Sequence, residues 1–275
     1  MRTTRSARVS TLVVAILAIG ALMTLTAGTR AAAPQRAACE PERFKIVLDV
    51  GHTVENQGAT SARGVKEYVF NLRLAKEMES ALKDAGFAQT HLFITHGATR
   101  AQLFTRPERA NALGADLFVS IHHNDVQERY KSKWEYAGQA QSYSDTFSGH
   151  SLFVSRENPR FSDSLAFGHL LGLELKARGL VYTRHHLEDV PGERRELLDP
   201  EGGVYRYDRL VVLMYTKMPA VLVETGIIVN RADELVLESP ERRARFTSAM
   251  VAAVQTFCGI QQAKRPNPRL TGSRK

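Results

Sequence analysis

Two hydrophobic patterns alternate along residues 44 to 257. Short unbroken apolar runs, the mark of strands buried on both faces, give way to longer stretches whose apolar residues recur at helical spacing. The first run, Ile46 to Val50, stops at Gly51 and is followed by His52 and Thr53. A loop of small and polar residues leads to Gly64. A helix is then expected from Val65 to Ala85, with Leu72, Ala75, Met78 and Leu82 at helical spacing and Gly86 as its stop. The pattern next predicts a strand over Thr90 to Thr95, a helix over Gln102 to Leu113, and a strand over Asp116 to Ile121 that runs into His122, His123 and Asn124. Ser151 to Val154 reads as a strand and Ser162 to Arg178 as a helix. Strands over Arg209 to Met214 and Ala220 to Val223 follow, the second ending in Glu224, and helices over Asp233 to Leu237 and Glu241 to Phe257 close the chain. Such alternation predicts a single α/β domain whose twisted, mostly parallel or mixed sheet carries helices on both faces.

Two stretches fit neither pattern. Residues 125 to 149, with Tyr130, Trp134, Tyr136, Tyr143 and Phe147, and residues 181 to 203, with His185, His186 and Glu188, read as polar insertions. Long segments of this kind in compact domains tend to be lids or binding elements. His185 and His186 are expected to be exposed, and the aromatic residues to form a small cluster under the first loop.

Residues 1 to 33 stand apart. Arg2, Arg5 and Arg8 precede an apolar run from Leu12 to Leu25, and Ala31, Ala32 and Ala33 follow. This is a secretory signal pattern, which sets the remaining chain, a domain over 34 to 260, in an exported context where the membrane is met only through that segment. The formal net charge of +8 changes meaning once it is divided. Four arginines lie in residues 1 to 33 and five basic residues in 260 to 275, which leaves 28 basic against 29 acidic residues for the domain. A near-neutral domain lacks the basic patch that nucleic-acid binding needs, so no nucleic-acid partner is expected. The basic end, 261 to 275, is expected to be a disordered tail. Cys39 and Cys258 sit at opposite extremities of the domain and can pair in an oxidising compartment, two separate buried thiols being the alternative.

Three apolar strands therefore end in His52, His122 and Glu224, and a helix begins at Glu67. The C-terminal strand edge of an open α/β sheet is where ligands bind. Two imidazoles and two carboxylates on that edge would be poorly paired without a bound ion. Zinc held by two histidines and one glutamate keeps a position open for water, and the remaining carboxylate can serve as general base. At the start of a helix an acid also suits the N-terminal dipole, so Glu67 has a capping alternative.

The motifs themselves are more specific than their spacing. Val47-Leu48-Asp49-Val50-Gly51-His52, Gly64-Val65-Lys66-Glu67 with Asn71-Leu72, Arg106 through Ala110-Asn111, Ala115 through His122-His123-Asn124, and Pro219 through Glu224-Thr225-Gly226 with Asn230 and Asp233 occur in that order. Together they resemble the zinc-dependent N-acetylmuramoyl-L-alanine amidases of bacterial peptidoglycan. The resemblance implies a six-stranded sheet, a Zn2+ cofactor on His52, Glu67 and His122, and Glu224 as the catalytic acid and base. It implies peptidoglycan as substrate, cut between N-acetylmuramic acid and L-alanine, by a protein expected to be a monomer. Some members are opened by a partner that moves a blocking helix, so a protein activator is admitted, with Glu128, Glu135 or Glu188 as blocking ligand. The chain departs from the family at Thr53, where a second glycine is usual, and at Ile227-Ile228-Val229, where an aromatic usually follows the glycine. His123 is expected to point away from the ligands, and Arg106 and Arg109 to anchor their helix. A zinc peptidase acting within the stem peptide, or a non-catalytic wall-binding module, stays open as an alternative.

Overall fold

The computed structural model describes residues 39–264; the expected signal segment at 1–33 and the expected tail from residue 265 lie outside the described residues. The first strand, β1 (Ile46–Val50), pairs in parallel with β2 (Thr90–Phe93) on one side and β3 (Leu117–Asn124) on the other. Beyond β3 lies β9 (Ala220–Ile227), also parallel, and then β6 (Ser151–Val154), which runs antiparallel to β9. A short strand β8 (Val204–Arg206) pairs in parallel with β6, and β7 (Leu197–Asp199) closes the edge antiparallel to it. The sheet thus has seven strands in the order β2-β1-β3-β9-β6-β8-β7, not six. Part of the difference comes from the second insertion, which supplies β7 itself. The strand expected over Arg209 to Met214 is instead the one-turn helix α4 (Val211–Met214). An apolar run this short carries no period that separates a buried strand from a buried turn of helix.

Side-chain alternation along the strands divides the core into two layers. Ile46, Leu48 and Val50 of β1 and Val221 and Val223 of β9 pack with helices α1 (Glu67–Asp84), α3 (Phe161–Ala177) and α6 (Pro240–Lys264). Val47, Phe118, Ala220 and Leu222 face the other way, with α2 (Thr99–Leu113) and α4. On that second face the alternation places the buried Asp49 and Ser120, followed at the strand ends by His122 and Glu224. The fold thereby dictates which polar groups meet.

The long helix α6 runs through Lys264, so residues 261 to 264, assigned to the tail by sequence, belong to the domain. Its end is fixed on α3, where Asp163 accepts from Gln261 Nε2 at 2.9 Å and from Lys264, and Cys258 is bonded to Cys39 with Cα atoms 5.3 Å apart. A bridge across 219 residues of chain removes loop-closure entropy worth about 5 kcal/mol in the chain-entropy account. The first insertion is not structureless. It holds a hairpin, β4 (Ser132–Tyr136) and β5 (Gln139–Tyr143), turned by Ala137 and Gly138 with φ of 52° and 75°. Paired left-handed residues match the twist of a two-residue hairpin, but Ala-Gly is a faint form of that signal.

Candidate metal and catalytic centre

The register of β3 and β9 sets His122 directly beside Glu224 at the C-terminal edge of the sheet. One strand over, the chain leaves β1 through Gly51 and turns at His52, whose φ of 69° is left-handed. A histidine in this region costs about 1–3 kcal/mol unless its surroundings hold it. Two groups do so. Arg106, 2% exposed, donates to the His52 carbonyl, and the His52 Nε2 lies 2.7 Å from Glu67 Oε2. Arg106 is itself steadied from below, where Asp49 Oδ2 accepts from its Nη1 at 3.3 Å and from Ser120 Oγ at 2.8 Å. Burial pushes the Asp49 carboxyl above its ordinary range, with Arg106 opposing.

Glu67 lies between the two imidazoles. Its Oε1 is 3.0 Å from His122 Nδ1 and also accepts from Asn71 Nδ2 at 3.2 Å and His123 N at 3.3 Å, while Oε2 accepts from Ala59 N at 3.2 Å. Glu67 stands in the first turn of α1, where the helix dipole favours an acid, but its carboxylate takes its backbone donors from other segments rather than from the helix end. Burial alone would raise its carboxyl, but the hydrogen bonds and charges of His122 and His52 hold it well below the ordinary value. His123 points to the opposite face, as strand alternation requires. Its Nδ1 meets Asn71 Oδ1 at 2.7 Å, and burial holds its pKa down at about 3. It therefore orients Asn71, which in turn fixes Glu67.

Donor atoms of His52, Glu67 and His122 all lie within 4.8 Å of one another. Glu224 completes the constellation. The residue as a whole is partly exposed, yet its Oε2 is covered and has no hydrogen-bond partner among the described residues. Burial, reinforced by the charge of Glu67, pushes this carboxyl well above its ordinary value. Two imidazoles, one buried carboxylate and an orphaned carboxyl oxygen beside them form a donor set into which a divalent cation fits.

Two glycines that motif reasoning left without a role make this convergence possible. A Cβ on Gly51 would lie 2.5 Å from the His122 ring, and one on Gly58, with φ of +75°, 2.5 Å from Glu67 Oε2 and 2.6 Å from the His52 ring. Gly58 sits in the small-residue loop after β1, and only the composition of that loop hinted at close packing. Thr53, at the position of the missing glycine, closes the same loop by accepting from Asn56 N at 2.9 Å. After β9, Asn230 Oδ1 caps α5 (Arg231–Glu238) through Ala232 N and Asp233 N, and Asp233 Oδ2 accepts from Ile227 N at 2.9 Å, so the two motif polar residues lock the turn behind Glu224.

The remaining expectations divide. Arg109 lies over the Phe93 ring at 4.1 Å and anchors α2. The loop aromatics pack on one another, Trp134 stacked on Tyr136 and Tyr130 edge-on to Phe147. Glu128, Glu135 and Glu188 are not among the converging donors; Glu128 is exposed and pairs with Lys131. His185 and His186 are not exposed: they are 1% and 6% accessible, inside a single turn (His185–Leu187) folded against Phe147 and Phe153. Burial and the neighbouring His186 hold the His185 pKa down at about 4. A polar composition marked the segment as surface, but its histidines pair aromatic faces with a carboxylate, Glu193.

Residues 46–256 match the family Amidase_3, described as N-acetylmuramoyl-L-alanine amidase. The chain is 25% identical over 238 residues to the N-acetylmuramoyl-L-alanine amidase AmiA of Escherichia coli K12, covering 77% of this chain and 75% of that protein. Among solved structures, the catalytic domain of CwlV, an N-acetylmuramoyl-L-alanine amidase from Bacillus (Paenibacillus) polymyxa var. colistinus, superposes with a TM-score of 0.56 at 25% identity, over 78% of this chain and 97% of that one. The CwlD amidase of Clostridioides difficile, solved in complex with the GerS lipoprotein, gives a TM-score of 0.57 at 20% identity over 79% and 99% of the two chains.

Proposed function

This chain belongs to the Amidase_3 family of N-acetylmuramoyl-L-alanine amidases, and from that membership we propose that it is a zinc-dependent peptidoglycan hydrolase with His52, Glu67 and His122 as ligands and Glu224 as acid and base. The observation that carries the assignment is the convergence of two imidazoles and a carboxylate within 4.8 Å, beside a carboxyl oxygen without a hydrogen-bond partner among the described residues. When bound, the ion supplies Lewis acidity, which activates a water and polarises the scissile carbonyl.

The chain's own groups do the rest. Arg106 and Asp49 hold the His52 backbone, and Asn71 with the Ala59 and His123 amides fixes both oxygens of Glu67. As water adds to the amide carbon between the lactyl group of N-acetylmuramic acid and L-alanine, Glu224 takes its proton. Glu224 then returns that proton to the alanine nitrogen as the C–N bond breaks, leaving a lactyl carboxylic acid, which gives up its remaining proton to the amine or to solvent, and the freed alanine amine. Burial beside a second carboxylate raises the proton affinity of Glu224, which suits a group that must hold the proton between the two steps.

Export follows from the same reading. The Cys39–Cys258 disulfide supports an oxidising compartment, and the mature protein is taken to work in the periplasm or cell envelope, with residues 1–33 as its signal. It acts there as a monomer. The complex of CwlD with the GerS lipoprotein supports a protein partner for this chain, here read as an activator, although no carboxylate of Glu128, Glu135 or Glu188 would have to be withdrawn from the ligands.

Purified peptidoglycan and two variants test the assignment. His52→Ala is expected to lose both zinc and turnover. Glu224→Ala is expected to keep zinc and lose turnover by about 10²–10⁴-fold, with full activity of that variant refuting the role. Mass spectrometry of the products separates the enzymatic readings: free N-terminal L-alanine marks the amidase, and cleavage inside the stem peptide would mark a peptidase.

A further inference from the structure

A second histidine–glutamate group lies in the insertion at 181 to 203, and the amidase reading gives it no task. Donor atoms of His185, His186 and Glu193 all lie within 4.8 Å of one another. Glu193 Oε2 stands 3.4 Å from His186 Nδ1 and 3.8 Å from His185 Nε2. These separations are close to those between ligands around a tetrahedral ion with bonds of about 2.0–2.2 Å. A second observation points to a ligand: His185 is 1% exposed, and neither of its ring nitrogens has a hydrogen-bond partner among the described residues. One ring nitrogen of a neutral histidine is a donor and the other an acceptor. Leaving a single buried polar group unmade costs about 1–3 kcal/mol, and native proteins seldom tolerate it.

From this geometry we propose that His185, His186 and Glu193 form a second metal site, for a divalent first-row transition ion such as zinc. Two imidazoles favour such an ion over calcium or magnesium, which take oxygen ligands. The outer nitrogen of His186 supports the assignment, since Nε2 faces Ser151 Oγ at 3.1 Å, the oxygen partner that a metal-bound imidazole usually keeps. The same nitrogen lies 3.1 Å from Asn124 Nδ2, and with the ion in place the Asn124 amide would present its oxygen instead. Through these contacts the ion would tie the insertion to the ends of β3 and β6. Asn124 is two residues beyond His122, and Ser151 is the strand partner of Glu224. The ion's role is therefore structural: it clamps the insertion against the strand ends that carry the first site. The proposal uses none of the ligands assigned above.

Metal content of the full-length oxidised protein tests it, measured by mass spectrometry after loading with zinc and exhaustive dialysis. Wild type is expected to retain two equivalents, and the His185→Gln/Glu193→Gln variant one. His52→Ala/His122→Ala is also expected to retain one, which on exchange for cobalt gives the absorption bands of a tetrahedral site. Should the His185→Gln/Glu193→Gln protein fail to fold, Glu193→Gln alone in the His52→Ala/His122→Ala background replaces it and is expected to lower zinc affinity at least tenfold. A wild-type protein with a single equivalent that His52→Ala/His122→Ala removes overturns the second site and leaves the first intact. A single equivalent removed only by His185→Gln/Glu193→Gln upholds this site and overturns the reading of the first.

Discussion

Two groups of two histidines and one glutamate stand at the same end of this sheet, and they are built by opposite means. In the first, the donors stand at or just beyond regular elements: His52 in the turn that follows β1, His122 on β3, and Glu67 in the first turn of α1. Its carboxylate is held by three N–H donors in addition to the two imidazoles. In the second, adjacent histidines come from one short turn and the carboxylate from a loop six residues on, and the most deeply buried imidazole has no hydrogen-bond partner among the described residues. The first group is organised before any ion arrives. The second leaves polar atoms buried that an ion would satisfy. Preorganisation suits catalysis, where geometry must be held to fractions of an ångström; a structural ion can supply its own order, because its binding energy is also folding energy.

Substitutions at glycine sharpen this contrast most. Gly58→Ala forces a Cβ into Glu67 Oε2 and the His52 ring at a positive φ. It is expected to weaken metal binding at the first site by about 10–100-fold, read by zinc competition with a chromophoric chelator. Gly192, which precedes Glu193, also has positive φ (+91°), but a Cβ there meets nothing nearer than Gln127 Nε2 at 3.8 Å. Gly192→Ala is expected to cost about 1–2 kcal/mol of stability from backbone conformation alone and to leave zinc at the first site untouched. Equal metal loss in both variants would erase the distinction between a close-packed site and a loosely built one.

A smaller effect, remote from both groups, tests whether general loosening of the domain empties them. Asp163 fastens the end of α6 through Lys264, Gln261 and Arg160. Burial opposes its ionisation, but these partners outweigh it and bring its pKa from 3.8 down to about 2. A depressed folded-state value means that the stabilisation is complete above the unfolded value and disappears as pH falls through the folded one. Asp163→Asn is expected to lose about 1–2 kcal/mol at pH 7, a deficit that fades between about pH 4 and pH 2 while zinc content at neutral pH stays that of the parent. Urea melts across that range measure it.

The first group was legible in part from pattern, since His52 and His122 follow apolar runs, but Glu67 opens a helix and only the motifs' resemblance to the amidases joined the three. Ile46 to Val50, Leu117 to Ile121 and Ala220 to Val223 could be recognised as interior strands, and parallel strands bring their C-terminal ends to one edge. Register, which sets His122 beside Glu224, was beyond the sequence, as were the steric roles of Gly51 and Gly58, since both depend on which atoms approach from elsewhere. The second group was read as its reverse. His185 and His186 lie among Arg184, Glu188 and Asp189, a composition typical of surface, and their burial comes from Phe147 and Phe153 of distant segments. The seventh strand is hidden for a different reason: β7 is three residues of Leu-Leu-Asp inside that polar stretch, too short to show alternation.

Under the proposed function, His52, Glu67 and His122 hold zinc beside Glu224. Anomalous diffraction at the zinc absorption edge, from crystals of the mature active protein, tests it most directly. A peak about 2.0–2.2 Å from a nitrogen of each histidine and an oxygen of Glu67 is expected. Active protein whose peak lies away from these three residues, or which shows none, would contradict it.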